Sequence, residues 1–523
     1  MYDVLFKNVW IADGSGQPMY RSSVAVKDGK IVRIADDLAG EAALELTGDD
    51  AMVLSPGFFD VHTHNDLLLI KDPCMTPQVL QGVTFDISGN CGQSAYPVSK
   101  DPEKRDLLRK YTGAVMPIAD VPQWEQMTSF REYRAIVERC RPRIHYGNWI
   151  GQGTVRIAVM GMDNRPATPA ELEEMKDIVR EAMENGALGM STGLIYAPGV
   201  FTPEDEITEL AKVVGEYGGV YATHMRNESN QVVESVEEAI RIAKASGCKL
   251  LVSHHKVVGK KNKPLYKKTL ALMDQARAEG MTVMADQYLF NYGSTTLCAL
   301  FPPKYQADGV EGLMAYLRDP AARAEIRANM ETDESWENFF RIMGADGVLV
   351  VSCPLTPEYN NLHLSEIEAK TGVPAAEAAA DLLLKNNGNV LMAVRLSEQE
   401  VIDGIWSHPY TAAGSDGIGA GFMDLTHPRA YSAFVHIFEE YVRQRHVVTL
   451  EEAVRKCTSL PAGFLGIHSK GLVKEGYDAD LVFFNRDTIG SDASFAKPRV
   501  DPKGVEYVFV DGQAVVEHGT LKA

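Results

Sequence analysis

Hydrophobic and polar positions along this chain follow two grammars. From residue 1 to about 50 the period is two: Asp3 to Ile11 alternates and is rich in β-branched residues, and Val24 to Val32 reads as a hairpin turning at Asp28-Gly29. The same grammar returns near the far end. There Ala479 to Phe484 reads as a strand, and Val505 to Val516 as a second hairpin turning at Asp511-Gly512. Two small β segments bracketing a long middle predict one sheet or sandwich interrupted by an insertion.

In the middle, apolar strand-like runs alternate with helical patterns. The runs end near His62, Cys91, Trp149, Leu194, His224, His254, Tyr288 and Asp416. The best-marked helix spans Thr168 to Asn185: Thr168 caps it, Pro169 occupies the first turn, Glu171 completes a capping box and Gly186 stops it. Its apolar residues Leu172, Met175, Val179, Ala182 and Met183 share one face, as packing on a barrel requires. Eight strand-helix units predict an α/β protein built on a (β/α)8 TIM-like barrel, whose chemistry sits at the C-terminal strand ends. A last helix, Leu450 to Leu465, is expected to finish the barrel packing.

The interval between the seventh and eighth runs is too long for one crossover. It holds Pro302-Pro303, a charged helical stretch from Gly309 to Met330 and an apolar strand, Val348 to Val351. This predicts an inserted subdomain over the catalytic face, a candidate lid. The expected division is therefore 1–54 with 468–523 for a β-sandwich, 55–289 with 400–467 for the barrel, and 290–399 for the insert.

Composition narrows the function. At 523 residues the chain exceeds an ordinary single core, and 45% hydrophobic with 24% charged residues is the balance of a soluble globular protein. A formal charge of −19 argues against nucleic-acid or anionic-membrane partners, which are polyanions. Seven scattered cysteines without a CxxC pair point to reduced thiols. No signal peptide and no apolar run of about 18 residues is evident, so a cytoplasmic location is the default expectation. Nothing in the sequence fixes an oligomeric state.

The candidate chemistry collects at the predicted strand ends. His62-Thr63-His64 follows an apolar run broken by Pro56-Gly57, and on a strand the i, i+2 spacing aims both imidazoles at one face, where they can grip a metal ion. Cys91 lies between Gly89 and Gly92, and glycines let a backbone turn tightly at a strand end. A cysteine is more often a small core residue, yet beside a metal this thiol is a plausible ligand. His224 and the His254-His255 pair end two consecutive strands, and period-two geometry allows only one of the latter pair inward, taken as His254. Asp416 sits in Gly414-Ser415-Asp416-Gly417. That dipeptide is an ordinary turn signal, but at the last strand end of a metal-holding barrel it is the natural general base and acid.

Together, Asp60 to His64, Gly89 to Gly92, Ser191 to Tyr196, Thr223 to Glu228, Ser253 to Lys256, Gly414 to Gly417, Thr426 to Tyr431 and Thr458 to Ala462 resemble the amidohydrolase superfamily and, within it, the D-aminoacylases. The likeness runs through almost the whole chain. The resemblance implies zinc-dependent hydrolysis of small-molecule N-acyl-D-amino acids. It implies a tightly bound zinc on Cys91, His224 and His254, a second, weaker site at His62 and His64, and Asp416 as catalytic carboxylate. By the same resemblance Lys256, Tyr196 and Tyr288 clamp the substrate α-carboxylate, a task suited to an ammonium and phenol hydroxyls.

Departures from the family text bear on substrate. Tyr288-Leu289-Phe290 stands where Tyr-Pro-Tyr is usual, Gln152 where a histidine is usual, and Asn65 where an acid is usual. Relatives with acidic substrates tend to carry an arginine where this chain has Phe301-Pro302-Pro303, which favours a neutral or apolar substrate side chain. Two rivals follow from the same motifs. A hydantoinase-type cyclic-amide or carbamoyl hydrolase usually carries a metal-bridging lysine on the fourth strand, which here reads Leu188 to Thr192 without one. A catalytically inactive scaffold would be expected to have lost metal-binding positions, all of which are occupied.

Overall fold

The structure, a computed structural model, describes residues 1–113, 115, 116, 118 and 121–522. Five strands open the chain: β1 (Tyr2–Ile11), β2 (Tyr20–Lys27), β3 (Lys30–Ala35), β4 (Ala42–Thr47) and β5 (Met52–Pro56). Seven barrel strands follow: β6 (Phe58–Asp60), β7 (Val83–Ser88), β8 (His145–Gly151), β9 (Gly189–Gly193), β10 (Val220–His224), β11 (Lys249–Val252) and β12 (Val283–Gln287). The chain then leaves the barrel through β13 (Tyr292–Thr296), β14 (Val348–Ser352), β15 (Leu362–His363) and β16 (Leu391–Arg395) before the eighth barrel strand, β17 (Thr411–Ala413). It closes with β18 (Leu481–Asn485), β19 (Val505–Val510), β20 (Gln513–Glu517) and β21 (Thr520–Leu521).

The barrel is parallel, with hydrogen-bonded order β17-β12-β11-β10-β9-β8-β7-β6. Its interior is packed by Phe59, Phe85, Ile87, Trp149, Ala222, Leu251 and Met284, so it is a core and no pore. The seam between first and eighth strands closes just beyond the strand ends. Thr63 and Gly417 form a parallel bridge, the Asp416 amide donates to His62 O at 2.7 Å, and the His64 amide donates to Gly417 O at 3.1 Å. The chemistry-bearing segments therefore complete the barrel.

The two chain ends meet in one sheet. Strand β5 pairs parallel with β1 and antiparallel with β18, giving the order β21-β20-β19-β18-β5-β1-β2-β3, with β4 on β1. The one sheet or sandwich expected from the two chain ends is a single continuous sheet around a common apolar cluster. Gly29 O accepts from the Ala479 amide at 2.9 Å, and Phe6 packs edge-on against Phe483 and Phe509 at 5.7 and 5.6 Å. A bulge in β1 between Phe6 and Val9 supplies the local bend.

Residues after β12 build a four-stranded sheet, β13-β16-β14-β15, with its own apolar cluster. The helical stretch expected from Gly309 to Met330 is built of two helices, Gly309–Arg318 and Pro320–Thr332. Asp319 caps the second and Pro320, without an amide hydrogen, starts it. The Leu450 to Leu465 helix likewise breaks at Thr458, where φ is −134° and ψ −85°. A continuous helix would set the Pro461 ring against the Cys457 carbonyl one turn back. The capping-box helix, by contrast, spans Pro169–Glu184 with both capping hydrogen bonds present. No helix among the described residues is long and apolar enough to cross a membrane.

Candidate metal centre and active site

The expected site residues converge at the C-terminal mouth of the barrel, His224 as the last residue of β10 and the others one to four residues beyond their strands. Cys91 Sγ lies 3.4 Å from His62 Nε2 and 3.3 Å from His254 Nε2, and His254 Nε2 lies 2.9 Å from His224 Nδ1. Besides His224-Glu228-Glu337 behind the imidazoles, three sets of expected residues have donor atoms within 4.8 Å of one another and could hold a metal ion here: His62-His64-Cys91, Cys91-His224-His254 and His62-His254-Asp416. All six expected residues are buried. Cys91, His62 and His254 each belong to two of these sets, and the Cys91 sulfur is the one that joins the His62-His64 pair to the His224-His254 pair.

Local backbone conformation aims these groups. Cys91, His254 and Asp416 have φ of 52°, 35° and 49°, the left-handed region that non-glycine residues enter at a cost. At Cys91 the turn is possible because Gly89 and Gly92 flank it; a Cβ on Gly89 would stand 2.2 Å from Trp149 O. His62 and His64 lie past the end of β6, not on it as expected. The extended bridge to Gly417 preserves the alternation, since Thr63 points away to donate to Asp86 Oδ1 at 3.0 Å. The left-handed turn at His254 separates that pair: His255 meets Thr269 Oγ1 at 3.0 Å, outside the centre.

Behind the imidazoles stand carboxylates that sequence reasoning missed. Asp286 lies 3.2 Å from His62 Nδ1 and accepts from the His254 amide at 2.8 Å. Glu228 lies 3.1 Å from His254 Nδ1 and 3.6 Å from His224 Nε2. Carboxylates behind histidines fix ring orientation and tautomer in metal sites. Burial alone would raise Glu228, yet Lys256 and the two histidines hold it well below the usual carboxylate range. Burial would also raise the Cys91 thiol, but His254 and His62 beside it keep it well below the ordinary value, as a thiolate.

Asp416 faces His64 Nε2 at 3.4 Å and Arg429 Nη2 at 2.9 Å. Arg429 is fully buried and stacks 4.3 Å over the Tyr288 ring. Burial would lift the Asp416 carboxyl, while Arg429, ahead of His64 and His62, holds it well below its ordinary value. Lys256 enters the same pocket, 2.9 and 3.0 Å from the Glu228 oxygens and 5.5 Å from the Tyr288 ring centre. Tyr196 lies beside His224, and its hydroxyl meets Thr295 Oγ1 at 3.0 Å. Tyr288 lies on the His254 side.

The insert forms part of the pocket wall through Thr295, Phe339, Val394 and Leu396. Lys256 is the only lysine or arginine among the described lining residues, and it is paired with Glu228. Phe301 is buried in the insert's own cluster and does not line this pocket, so its expected influence on substrate choice is absent there. Gln152 is buried and donates to Thr202 Oγ1 at 3.1 Å. Asn65 donates to Asp86 Oδ2 at 2.9 Å, a contact that an acid at this position could make only by holding a proton. Glu228 and Arg429 lie in motifs quoted for the family likeness; Asp286, in an apolar strand, carried no signal.

The sequence pattern of the amidohydrolase family matches residues 50–516. The chain belongs to this family. A curated amidohydrolase relative, the N-acyl-D-aspartate deacylase of Alcaligenes xylosoxydans xylosoxydans, is 30% identical over 98% of this chain and 92% of its own length. Among solved structures, a D-aminoacylase described with a binuclear metal centre, one-metal activation and second-metal attenuation superposes with a TM-score of 0.83 at 30% identity. It covers 100% of this chain and 98% of that one. The N-acyl-D-glutamate deacylase of Bordetella bronchiseptica, complexed with zinc and a phosphonate mimic of the tetrahedral intermediate, gives 0.82 at 29% identity, covering 98% and 96%.

Proposed function

We propose that this chain is a zinc-dependent N-acyl-D-amino-acid deacylase, hydrolysing a linear amide to a carboxylate and a free D-amino acid with a neutral or apolar side chain. The observation that carries the reading is the buried thiol of Cys91 shared between imidazole pairs, with Asp416 beside them. A thiolate with imidazoles is a donor set suited to zinc. His64 Nδ1 has no hydrogen-bond partner among the described residues, an orphan that an ion or substrate would satisfy. We assign the tight site to Cys91, His224 and His254, and a weaker one to His62 and His64 with Cys91. Relatives with metal-bound structures support this assignment.

When bound, zinc polarises the amide carbonyl and makes water acidic enough to act near neutral pH. Asp416 accepts the proton of the attacking water and returns it to the departing nitrogen, so one water is consumed and one acid and one amine leave. Arg429 holds the carboxylate ready to accept. Lys256 and Tyr288 receive the substrate α-carboxylate; Tyr196, expected to join that clamp, is hydrogen-bonded to Thr295 beside His224 and in this reading closes the site there instead. Val115, Ile195, Phe339, Val394, Leu396 and Ile418 give the pocket an apolar wall, which supports the side-chain preference. The barrel of residues 55–289 and 400–467 carries the chemistry in this reading, with 290–399 above it and the terminal sheet apart.

A panel of N-acetyl-D- and N-acetyl-L-amino acids, with metal analysis of the purified protein, tests the reading. Release of D-amino acids by a zinc-loaded enzyme is expected, fastest for leucine- or methionine-like side chains. Hydrolysis of hydantoins without hydrolysis of any N-acyl-D-amino acid would sink it.

A further inference from the structure

The space at the centre itself is small, about 30 Å³, enough for one water. A second cavity of about 490 Å³ adjoins it, with Gln93, Ile195 and Tyr196 lining both. That volume is in the range of ligand pockets, about 300–1,000 Å³. It lies between the helix Pro102–Thr112, with nearby Met162, and the insert helix Gly309–Arg318. Leu107, Met162, Ala299, Val310 and Leu313 make its wall apolar.

Its charged groups are paired at the rim, while Tyr111 Oη and Gln93 Oε1 are buried in its lining without a hydrogen-bond partner among the described residues. Lys110 bridges Asp106 at 2.9 Å and Glu311 at 3.2 Å, and Arg109 pairs with Asp106. The Gln306 amide donates to Cys298 O at 3.1 Å and Phe301 O at 2.8 Å. No unpaired cation among the described lining residues invites an anion. With the apolar wall, the cavity suits an uncharged, mainly hydrocarbon occupant, Tyr111 and Gln93 being its only buried unpartnered polar groups among the described lining residues.

Which end of a substrate enters follows from the poles of the site. Asp416, Lys256, Tyr288 and Ser294 line the central space and not the second cavity. The amine that Asp416 protonates, and the α-carboxylate beside it, therefore stay at that pole. The residues shared with the cavity lie at the other: Gln93 follows Cys91 by two positions, and Tyr196 packs against His224 with ring centres 5.2 Å apart. The acyl carbon's substituent is the part of the molecule directed there.

We propose that the cavity between the barrel and the insert is an acyl-chain subsite, and that the preferred substrates are N-acyl-D-amino acids with medium-length or aromatic-tailed acyl groups rather than N-acetyl ones. The inference rests on the deacylase reading above and specifies its substrate. Binding of each buried methylene gains about fourfold, so octanoyl should exceed acetyl by at least about tenfold even after most of that gain is lost.

The test compares kcat/KM of the zinc-loaded enzyme for N-acetyl- and N-octanoyl-D-alanine, and for N-acetyl-D-norleucine as a side-chain control. An octanoyl advantage of about tenfold or more supports the subsite. Equal or better rates with acetyl than with octanoyl on D-alanine overturn it, while any gain with N-acetyl-D-norleucine reads the separate side-chain pocket. Failure to hydrolyse any of the three removes the deacylase reading and this inference with it. Ala299→Phe and Val310→Phe, which fill the cavity from two elements, should each lower the octanoyl-to-acetyl ratio by about fivefold or more. An unchanged ratio in both folded variants overturns the assignment.

Discussion

Asp416 and Arg429 form an ion pair out of solvent, with Arg429 Nη2 2.9 Å from Asp416 Oδ2. Asp416 must be ionised to accept a proton, so activity falls only as pH drops through its pKa, which Arg429 holds low against the effect of burial. Arg429→Gln should raise that pKa and move the acid limb of the kcat/KM profile to higher pH. An acid limb that does not move would show that Arg429 has no such role. Asp416→Asn should retain metal and lose about 10²–10⁴-fold in kcat.

Glu228 touches the far side of both His224 and His254, at 3.6 and 3.1 Å, and Lys256 compensates its charge. Glu228→Gln keeps the shape and removes the charge that orients two rings. Metal affinity, measured by competition with a chelator, should weaken by about 10–100-fold. Wild-type affinity in a folded variant would remove Glu228 from the metal's surroundings.

The two donor sets sharing Cys91 should differ in retention. After dialysis against a mild chelator, His224→Ala should hold little zinc, whereas His64→Ala should keep close to one ion per chain. The reverse order would exchange the tight and weak sites. Full removal of metal from the wild type should abolish turnover, and added zinc should restore it.

Far from the centre, His145 on β8 meets Asp480 at 3.2 Å and Asp511 at 3.4 Å, joining the barrel to the terminal sheet. Burial lowers its pKa, but the two carboxylates outweigh burial and nearby Lys470 and raise it to about 9. A histidine raised above its unfolded value of about 6.5 stabilises the fold fully below that pH and loses this contribution as pH rises through about 9. The urea midpoint should therefore fall between those limits, and His145→Gln should flatten the fall. An identical pH dependence in the variant would refute the coupling.

Much of this was legible before any coordinates. Eight strand ends, the capping-box helix from Pro169 and the hairpin turns at Asp28-Gly29 and Asp511-Gly512 follow from local periods and turn chemistry, and the structure contains them. Where the reading slipped, a local rule had been applied too coarsely: Pro461 breaks a pattern that apolar spacing alone would carry through. That the two chain ends share one sheet or sandwich is legible from their matching β patterns, whereas the pairing of β5 with β18 within it has no local signature.

By itself, the sequence determined the chemical inventory and the order of elements: His62, His64, Cys91, His224, His254 and Asp416 at the ends of successive apolar runs, since side-chain chemistry and backbone period are local properties. Tertiary structure alone decided how that inventory is used. It turned Cys91, His254 and Asp416 through left-handed backbone, set Asp286 and Glu228 behind the imidazoles, buried Arg429 against Asp416, and opened a cavity between barrel and insert. Most of those contacts join residues far apart in the chain, such as His62 with Asp286. They exist only once the barrel closes, and it closes through the very segments that carry the site, Asp416 donating to the carbonyl of His62.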